Sequence, residues 1–282
     1  LSLIIKIRAY FNQMKHFIYL FIVLSFHSLI AQTPQQSYFE WTELPFSKEE
    51  LQQRRTSLIS ELTSQNKEGL VLMPAKDGFS YGETFRQLDD FYYFTGLELP
   101  NAILAIEVPS GNTIIFTPEM DKRFHSDSRP NDFPGRPLLN DSEISLQSGI
   151  TLKNIEDFST YITSKTSGTF IINNGREGDI NFASDDYIAT YSPIQVLMQA
   201  FKAKHSISNF ENCYDAIANV RMIKSPAEIV IIKKAVAITI ESIKEAAKSI
   251  QPGMDERFLE GVLEGHYKKL GAQRLAFGSI IK

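Results

Sequence analysis

Side chains able to do chemistry fall in four places along this sequence. Asp89 and Asp90 stand together in "FRQLDDFYYFTG" (85–96), where a carboxylate pair could trade a proton. His125, Asp127 and Asp132 share one segment and could hold a cation between them. Glu264 and His266 flank a glycine in "EGHY", and Cys213 is the single cysteine. Each has a plainer reading. The run 85–96 reads as extended, and adjacent residues of a strand point to opposite faces, so Asp89 and Asp90 could not share a proton. Asp90 then reads as an anchor accepting hydrogen bonds near Arg86. The segment 118–142 has no hydrophobic period, many charges and several prolines, which predicts a long, solvated loop around His125. Glu260, Glu264 and Lys268 repeat every four residues, which places His266 beside a solvated helical face. One thiol can form neither an intrachain disulfide nor a cysteine zinc cluster. These residues thus offer no catalytic group and no metal ligand set.

Composition narrows the class. The 282 residues are 43% hydrophobic and 22% charged, the balance of a folded chain. A net charge of −4 provides no basic field for nucleic acid. The first residues read differently from the rest. Met14 is followed by Lys15-His16, an apolar run over 17–26, and the short stretch "HSLIA". That is the layout of a secretory signal peptide cut after Ala31, with residues 1–13 upstream of the start. An apolar run of about 10 residues is too short for a stable membrane anchor. The chain is therefore expected to be secreted or periplasmic; a retained anchor helix is the competing reading.

The elements that must position any site follow from pattern. Ser47 and Glu50 form a capping box ahead of a helix whose apolar face carries Leu51, Leu58 and Leu62. "GLVLMPA" (69–75) and "GTFIINN" (168–174) read as buried strands. "NAILAIEVPSGNTIIFTPE" reads as a β-hairpin turning at 109–112. "KNIEDFSTYITSK" reads as helical, and "DDYIATYSPIQVLMQAFKAKH" as a helix interrupted near Pro193. Strands alternating with helices predict an α/β fold with a mixed sheet. Farther on, Ser225, Pro226 and Glu228 start a helix. Ile229, Ile232, Val236, Ile240, Ile243, Ala247 and Ile250 then form one apolar stripe. Pro252-Gly253 ends it, and Asp255 caps a second helix that closes at Gly271. Gly261 and Gly265 inside that helix predict close packing against another backbone, and "LAFGSII" (275–281) reads as an entering strand.

Two stretches carry a family resemblance. Arg86, Gln87, Asp90, Phe91, Tyr92, Tyr93, Thr95, Gly96, Pro100 and Ala102 resemble the N-terminal domain signature of the Xaa-Pro aminopeptidases (aminopeptidase P). "VRMIKSPAEI" resembles that family's linker, and the residues from "IQPGMDERF" onward resemble the first helices and strand of its catalytic domain. Leu97 departs from the usual phenylalanine, and 118–142 departs further. The resemblance implies three parts. They are an upstream extension and signal peptide over 1–31, a creatinase-like domain of six-stranded mixed sheet flanked by helices over 40–218, and the start of a truncated pita-bread metallopeptidase domain over 219–282. It also implies a hydrolase that releases the first residue of peptides with proline second. Two divalent metal ions, manganese, would be held by two Asp, one His and two Glu, and the enzyme would assemble as a homo-dimer or tetramer. None of those ligands falls within the 282 residues, so this chain by itself is expected to be inactive. Tyr92 matches an aromatic that can border a neighbouring subunit's substrate cleft; an ordinary half-buried aromatic is its plainer reading. A prolidase-like dipeptidase and a non-catalytic peptide-binding relative are the alternatives.

Overall fold

The hairpin at the centre of the sequence is the centre of the fold. In a computed structural model, residues 44–78, 85–132, 134–165, 168–175 and 192–281 are described. The signal-peptide reading and the segment 176–191 lie outside them. Strand β1 (Gly69–Pro74) pairs antiparallel with β2 (Ile103–Val108), setting Val71 opposite Ile106 and Met73 opposite Leu104. Strand β2 turns back into β3 (Thr113–Thr117). Three parallel pairings extend this core: β6 (Thr151–Asn154) on β3, β7 (Phe170–Ile172) on β1, and β8 (Phe210–Asn212) on β7. The result is a six-stranded mixed sheet of order β6-β3-β2-β1-β7-β8.

Alternation along each strand divides the core in two. Val71, Met73, Leu104, Ile106, Ile115 and Ile171 face helices α1 (Lys48–Ser64), α2 (Asp89–Thr95), α3 (Ser142–Ser148) and α6 (Tyr214–Met222). Leu70, Leu72, Ile114, Phe116, Phe170 and Ile172 face α4 (Phe158–Thr163) and α5 (Pro193–His205). On this second face Phe116 meets Phe158 edge-on at 5.1 Å, and Phe170 meets Phe201 at 5.3 Å. Gly69 permits the entry into β1. A Cβ there would lie 2.2 Å from the Thr169 carbonyl oxygen, which accepts from Leu70 N–H. Its φ of +148° also lies outside the range of L side chains.

The structure corrects several expectations. The run 85–96 is no strand: Phe91, Tyr92, Tyr93 and Phe94 lie in the seven-residue helix α2. The segment 118–142 is not one long loop. It holds a two-stranded sheet of β4 (Met120–His125) and β5 (Pro134–Pro137), followed by α3. Its charges face each other: buried Asp121 takes the Arg123 guanidinium at 2.6 Å, and Arg123 stacks over Phe85 at 4.0 Å. "KNIEDFSTYITSK" splits into the end of β6, a 3-10 turn over Ile155–Asp157, and α4.

After α6, helix α7 (Pro226–Lys248) and helix α8 (Glu256–Lys269) form a hairpin. The Ser225 capping box is complete, with the Glu228 carboxylate returning to Ser225 N–H at 2.9 Å. The stripe residues Ile229, Ile232, Val236, Ile240, Ile243 and Ile250 are 42–60% exposed. A Cβ on Gly261 or Gly265 would meet nothing within 4 Å, so the anticipated backbone contact is not made among the described residues. Residues 275–281 form no strand, and among the described residues no neighbouring strand offers them a ladder.

Candidate functional site around the aromatic helix

Helix α2 is short and rich in residues that favour strands, so its stability is borrowed from elsewhere. Asp89 and Asp90 occupy its first turn, where negative charge suits the helix dipole. Gly96 closes it at φ +71°, with its N–H donating to the Tyr92 carbonyl at 2.7 Å. The last carbonyls are met from α1. Arg54 Nη1 donates to Tyr93 O at 3.0 Å, and Arg55 Nη1 donates to Phe94 O at 2.8 Å. The other Arg55 amine, Nη2, donates to Ser148 O at 3.2 Å, so one side chain caps the ends of both α2 and α3. Burial lowers the Arg55 guanidinium to about 10, which leaves it charged at neutral pH.

Gln87 does the same work at the start of the helix. Its Oε1 accepts from Lys76 N–H at 2.7 Å and Leu88 N–H at 2.8 Å, and its Nε2 donates to Leu99 O at 2.7 Å. Three backbone segments are thus joined through one buried amide.

Tyr93 lies between two guanidiniums, Arg54 at 4.4 Å and Arg221 at 5.4 Å from its ring centre. Arg54 also pairs with Glu50 at 3.2 Å and with Glu228 of α7 at 3.9 Å. Arg221 draws the two acids together, reaching Asp90 at 3.0 Å and Asp89 at 3.8 Å. Asp90 takes a further bond from Asn173 Nδ2 at 2.5 Å. Arg86 is not its partner as expected: it faces Asp89 at 3.6 Å and donates to Ala276 O at 2.7 Å. Arg274 donates to Phe85 O at 2.7 Å and pairs with the Glu98 carboxylate. Tyr92, half-buried beside this pair, has its phenol raised, first by burial and then by the Glu98 charge. Tyr93 is raised too, by burial and then by Glu228.

The chemistry available here is recognition and positioning. Both acids of α2 are held by arginine, and both phenols keep their protons at neutral pH. The other candidates do not converge. His125 meets Asp127 at 3.0 Å on the surface, without Asp132. His266 bonds Val262 O at 2.9 Å, while half-buried Glu264 accepts from Ser279 Oγ at 2.9 Å and so is not part of a solvated face. Among the described residues no three His, Cys, Asp or Glu side chains gather, so these residues do not fit a dinuclear metal centre.

Sequence reading passed over Arg54, Arg55, Arg221 and Arg274, and gave Gln87, a residue of the resemblance, no role of its own. One signal existed: Arg55 falls within the stripe of Leu51, Leu58 and Leu62, where a charge has to find a buried partner.

The family model for the aminopeptidase P N-terminal domain matches residues 51–125, which take in α1 from Leu51 onward, α2 and strands β1 to β4. Those residues carry the aminopeptidase P N-terminal domain. The Escherichia coli Xaa-Pro aminopeptidase is 22% identical over 248 residues, covering 83% of this chain and 52% of that protein. An Xaa-Pro dipeptidase of Pyrococcus furiosus is 34% identical over 85 residues, 30% of this chain and 24% of that one. Among solved structures, Pseudomonas aeruginosa aminopeptidase PepP matches with a TM-score of 0.61 at 21% identity, over 83% of this chain and 52% of that one. Aminopeptidase P from E. coli with the inhibitor Pro-Leu matches with a TM-score of 0.59 at 21% identity, over 81% and 51%. The aminopeptidase P fold therefore extends over the mixed sheet and its helices. The chain spans about half the length of the Xaa-Pro aminopeptidase and aminopeptidase P structures it matches.

Proposed function

We propose that this chain supplies the N-terminal half of a metal-dependent Xaa-Pro aminopeptidase, which removes the first residue of peptides with proline second. The carrying observation is the aromatic helix, built from residues inside the family match and tied by Arg54 and Arg221 to the segment that follows. In this reading residues 40–218 form the N-terminal domain and 219–282 open the pita-bread catalytic domain. Two divalent ions, manganese, would polarise the peptide carbonyl and supply hydroxide, held by carboxylates and a histidine outside the described residues. The described residues instead set the geometry of the junction, and in a homo-oligomer Tyr92 borders the neighbour's cleft. Secretion after cleavage at Ala31 belongs to the same reading.

The test has two arms. Manganese and an Xaa-Pro tripeptide added to the 282-residue chain should give no turnover. Reading the coding frame beyond Lys282 should give two Asp, a His and two Glu in family order. Turnover by the chain, or a downstream frame lacking those ligands, would overturn the proposal. A dipeptidase is the second reading, favoured by the higher identity of the P. furiosus protein over its shorter match. Cleavage of Xaa-Pro dipeptides but not tripeptides by the longer protein would select it.

A further inference from the structure

Strand β7 ends at Ile172, and the chain leaves it through Asn173, Asn174 and Gly175, which include the single Asn-Gly pair of the sequence. A glycine has no Cβ to shield its backbone nitrogen, so the amide carbon of an asparagine just before it is open to attack from that nitrogen. Asn174 is exposed. The backbone on both sides of it is held by two other asparagines. Asn212, the last residue of β8, accepts from Asn174 N–H through Oδ1 at 3.2 Å and donates from Nδ2 to Gly175 O at 2.8 Å. Asn173 Oδ1 accepts from Gly175 N–H at 3.1 Å. Both holders are themselves anchored. Asn212 Oδ1 also accepts from Tyr214 N–H at 3.1 Å, and its carbonyl takes Lys67 Nζ at 2.6 Å. Asn173 Nδ2 donates to Asp90 of α2.

We propose that Asn174 is a deamidation site, and that the clamp made by Asn212 and Asn173 makes its conversion depend on local opening. In the reaction Gly175 N bonds to Asn174 Cγ, the Cγ–Nδ2 bond breaks, and ammonia leaves carrying the former Gly175 proton. Water then opens the resulting succinimide at either carbonyl, leaving aspartate or isoaspartate. In the clamped arrangement the attacking nitrogen is engaged as a donor to Asn173, and the carbonyl beyond it is pinned by Asn212. The peptide must break those bonds to turn toward Cγ, so the rate follows the population of the opened conformer. Isoaspartate adds one main-chain carbon between the two groups that Asn212 holds. The clamp therefore does not close again around that product, and the change is one-way. The inference needs neither metal nor substrate and stands apart from the peptidase reading.

Peptide mapping by mass spectrometry, with isoaspartate separated from aspartate by chromatography, tests it on the 282-residue chain in mildly alkaline buffer. Position 174 should convert about tenfold faster in the urea-unfolded chain than in the folded one, as expected for a reaction gated by opening. Asn212→Ala and Asn173→Ala should each raise the folded rate by about threefold or more. Asn212→Asp, which keeps the acceptor and loses the donor to Gly175, should fall between parent and Asn212→Ala. Amide exchange in β1 and β2 identifies the variants that remain folded, and Asn101 and Asn219, each followed by a residue with a Cβ, should stay unconverted. Equal rates in the folded and unfolded parent would overturn the proposal, and that comparison needs no variant. So would an unfolded chain that does not convert at position 174, or folded Asn212→Asp and Asn173→Ala variants that keep the parent's rate.

Discussion

The sheet unit and the α7–α8 hairpin carry apolar residues in comparable density and use them in opposite ways. In the sheet, the inner strands β1, β2, β3 and β7 bury both faces, and Leu104, Ile106, Phe116 and Ile171 are removed from water altogether. In the hairpin, a regular stripe of isoleucine and valine remains half exposed, and the buried positions of α7 are Ser242 and Ala246. Cap quality does not account for the difference, since Ser225 gives α7 a complete capping box while α2 has no side-chain cap at its start. Local signals are sufficient to shape a long helix. Burial depends on what lies opposite.

Four measurements would break or sharpen that contrast. The largest effect is expected from Phe94→Ala in the sheet unit, about 3–5 kcal/mol by urea unfolding. Ile243→Ala in the stripe should change stability by no more than ~0.5 kcal/mol, and equal losses would erase the distinction. Gln87→Leu strands two part-buried N–H groups and one buried carbonyl and should cost about 3 kcal/mol. Gln87→Glu, which keeps the acceptors, should cost less; the reverse order would mean that packing rather than hydrogen bonding holds that position.

The third effect depends on pH. Cys213 is fully buried, and burial followed by the Asp90 charge pushes its thiol from 9.0 up to about 12. Between those values the unfolded chain holds fewer protons than the folded one. Stability from this group is complete below pH 9 and falls as pH rises, by about 1.4 kcal/mol per unit. Cys213→Ala should flatten urea-derived stability between pH 9 and 11 relative to the parent, and parallel curves would refute the assignment. The smallest effect on stability, within ~0.5 kcal/mol, is expected from Val236→Glu with Ile243→Glu. That pair should nevertheless shift the chain from self-associated to monomeric in light scattering, because it interrupts the exposed stripe. A parent chain that is already monomeric would contradict the contrast at its root.

How far the fold was legible follows the same division. The hairpin at 109–112 and the α7 stripe rest on signals within a few residues and stand in the structure; so does the Ser47 cap of α1, without the reciprocal half of the expected box because the Glu50 carboxylate pairs with Arg54, and the strand expected over 168–174, shortened to Phe170–Ile172. Helix α2 was misread because "FYYF" favours strand locally, while the groups that finish the helix come from Arg54 and Arg55, 39 residues away. A helical signature was nonetheless present in Asp89 and Asp90 at one end and Gly96 at the other. The β4–β5 sheet was hidden by charges that looked solvated and are in fact paired, as Asp121 with Arg123. At the candidate site Tyr92 and Arg86 were visible from sequence, but Arg54, Arg221 and Arg274 were not, because their partners are backbone oxygens and distant acids.

Arg55 makes that last point more general. Its two donors end on the carbonyls of Phe94 and Ser148, groups that every residue type carries. Positions 94 and 148 can therefore drift without loosening the contact, and no correlated change in residue identity would reveal it. Lysine, with a single charged nitrogen, could not reproduce the fork that reaches two helix ends. Methods that infer contacts from co-varying residues would miss this tie between α1, α2 and α3, even with deep alignments in hand.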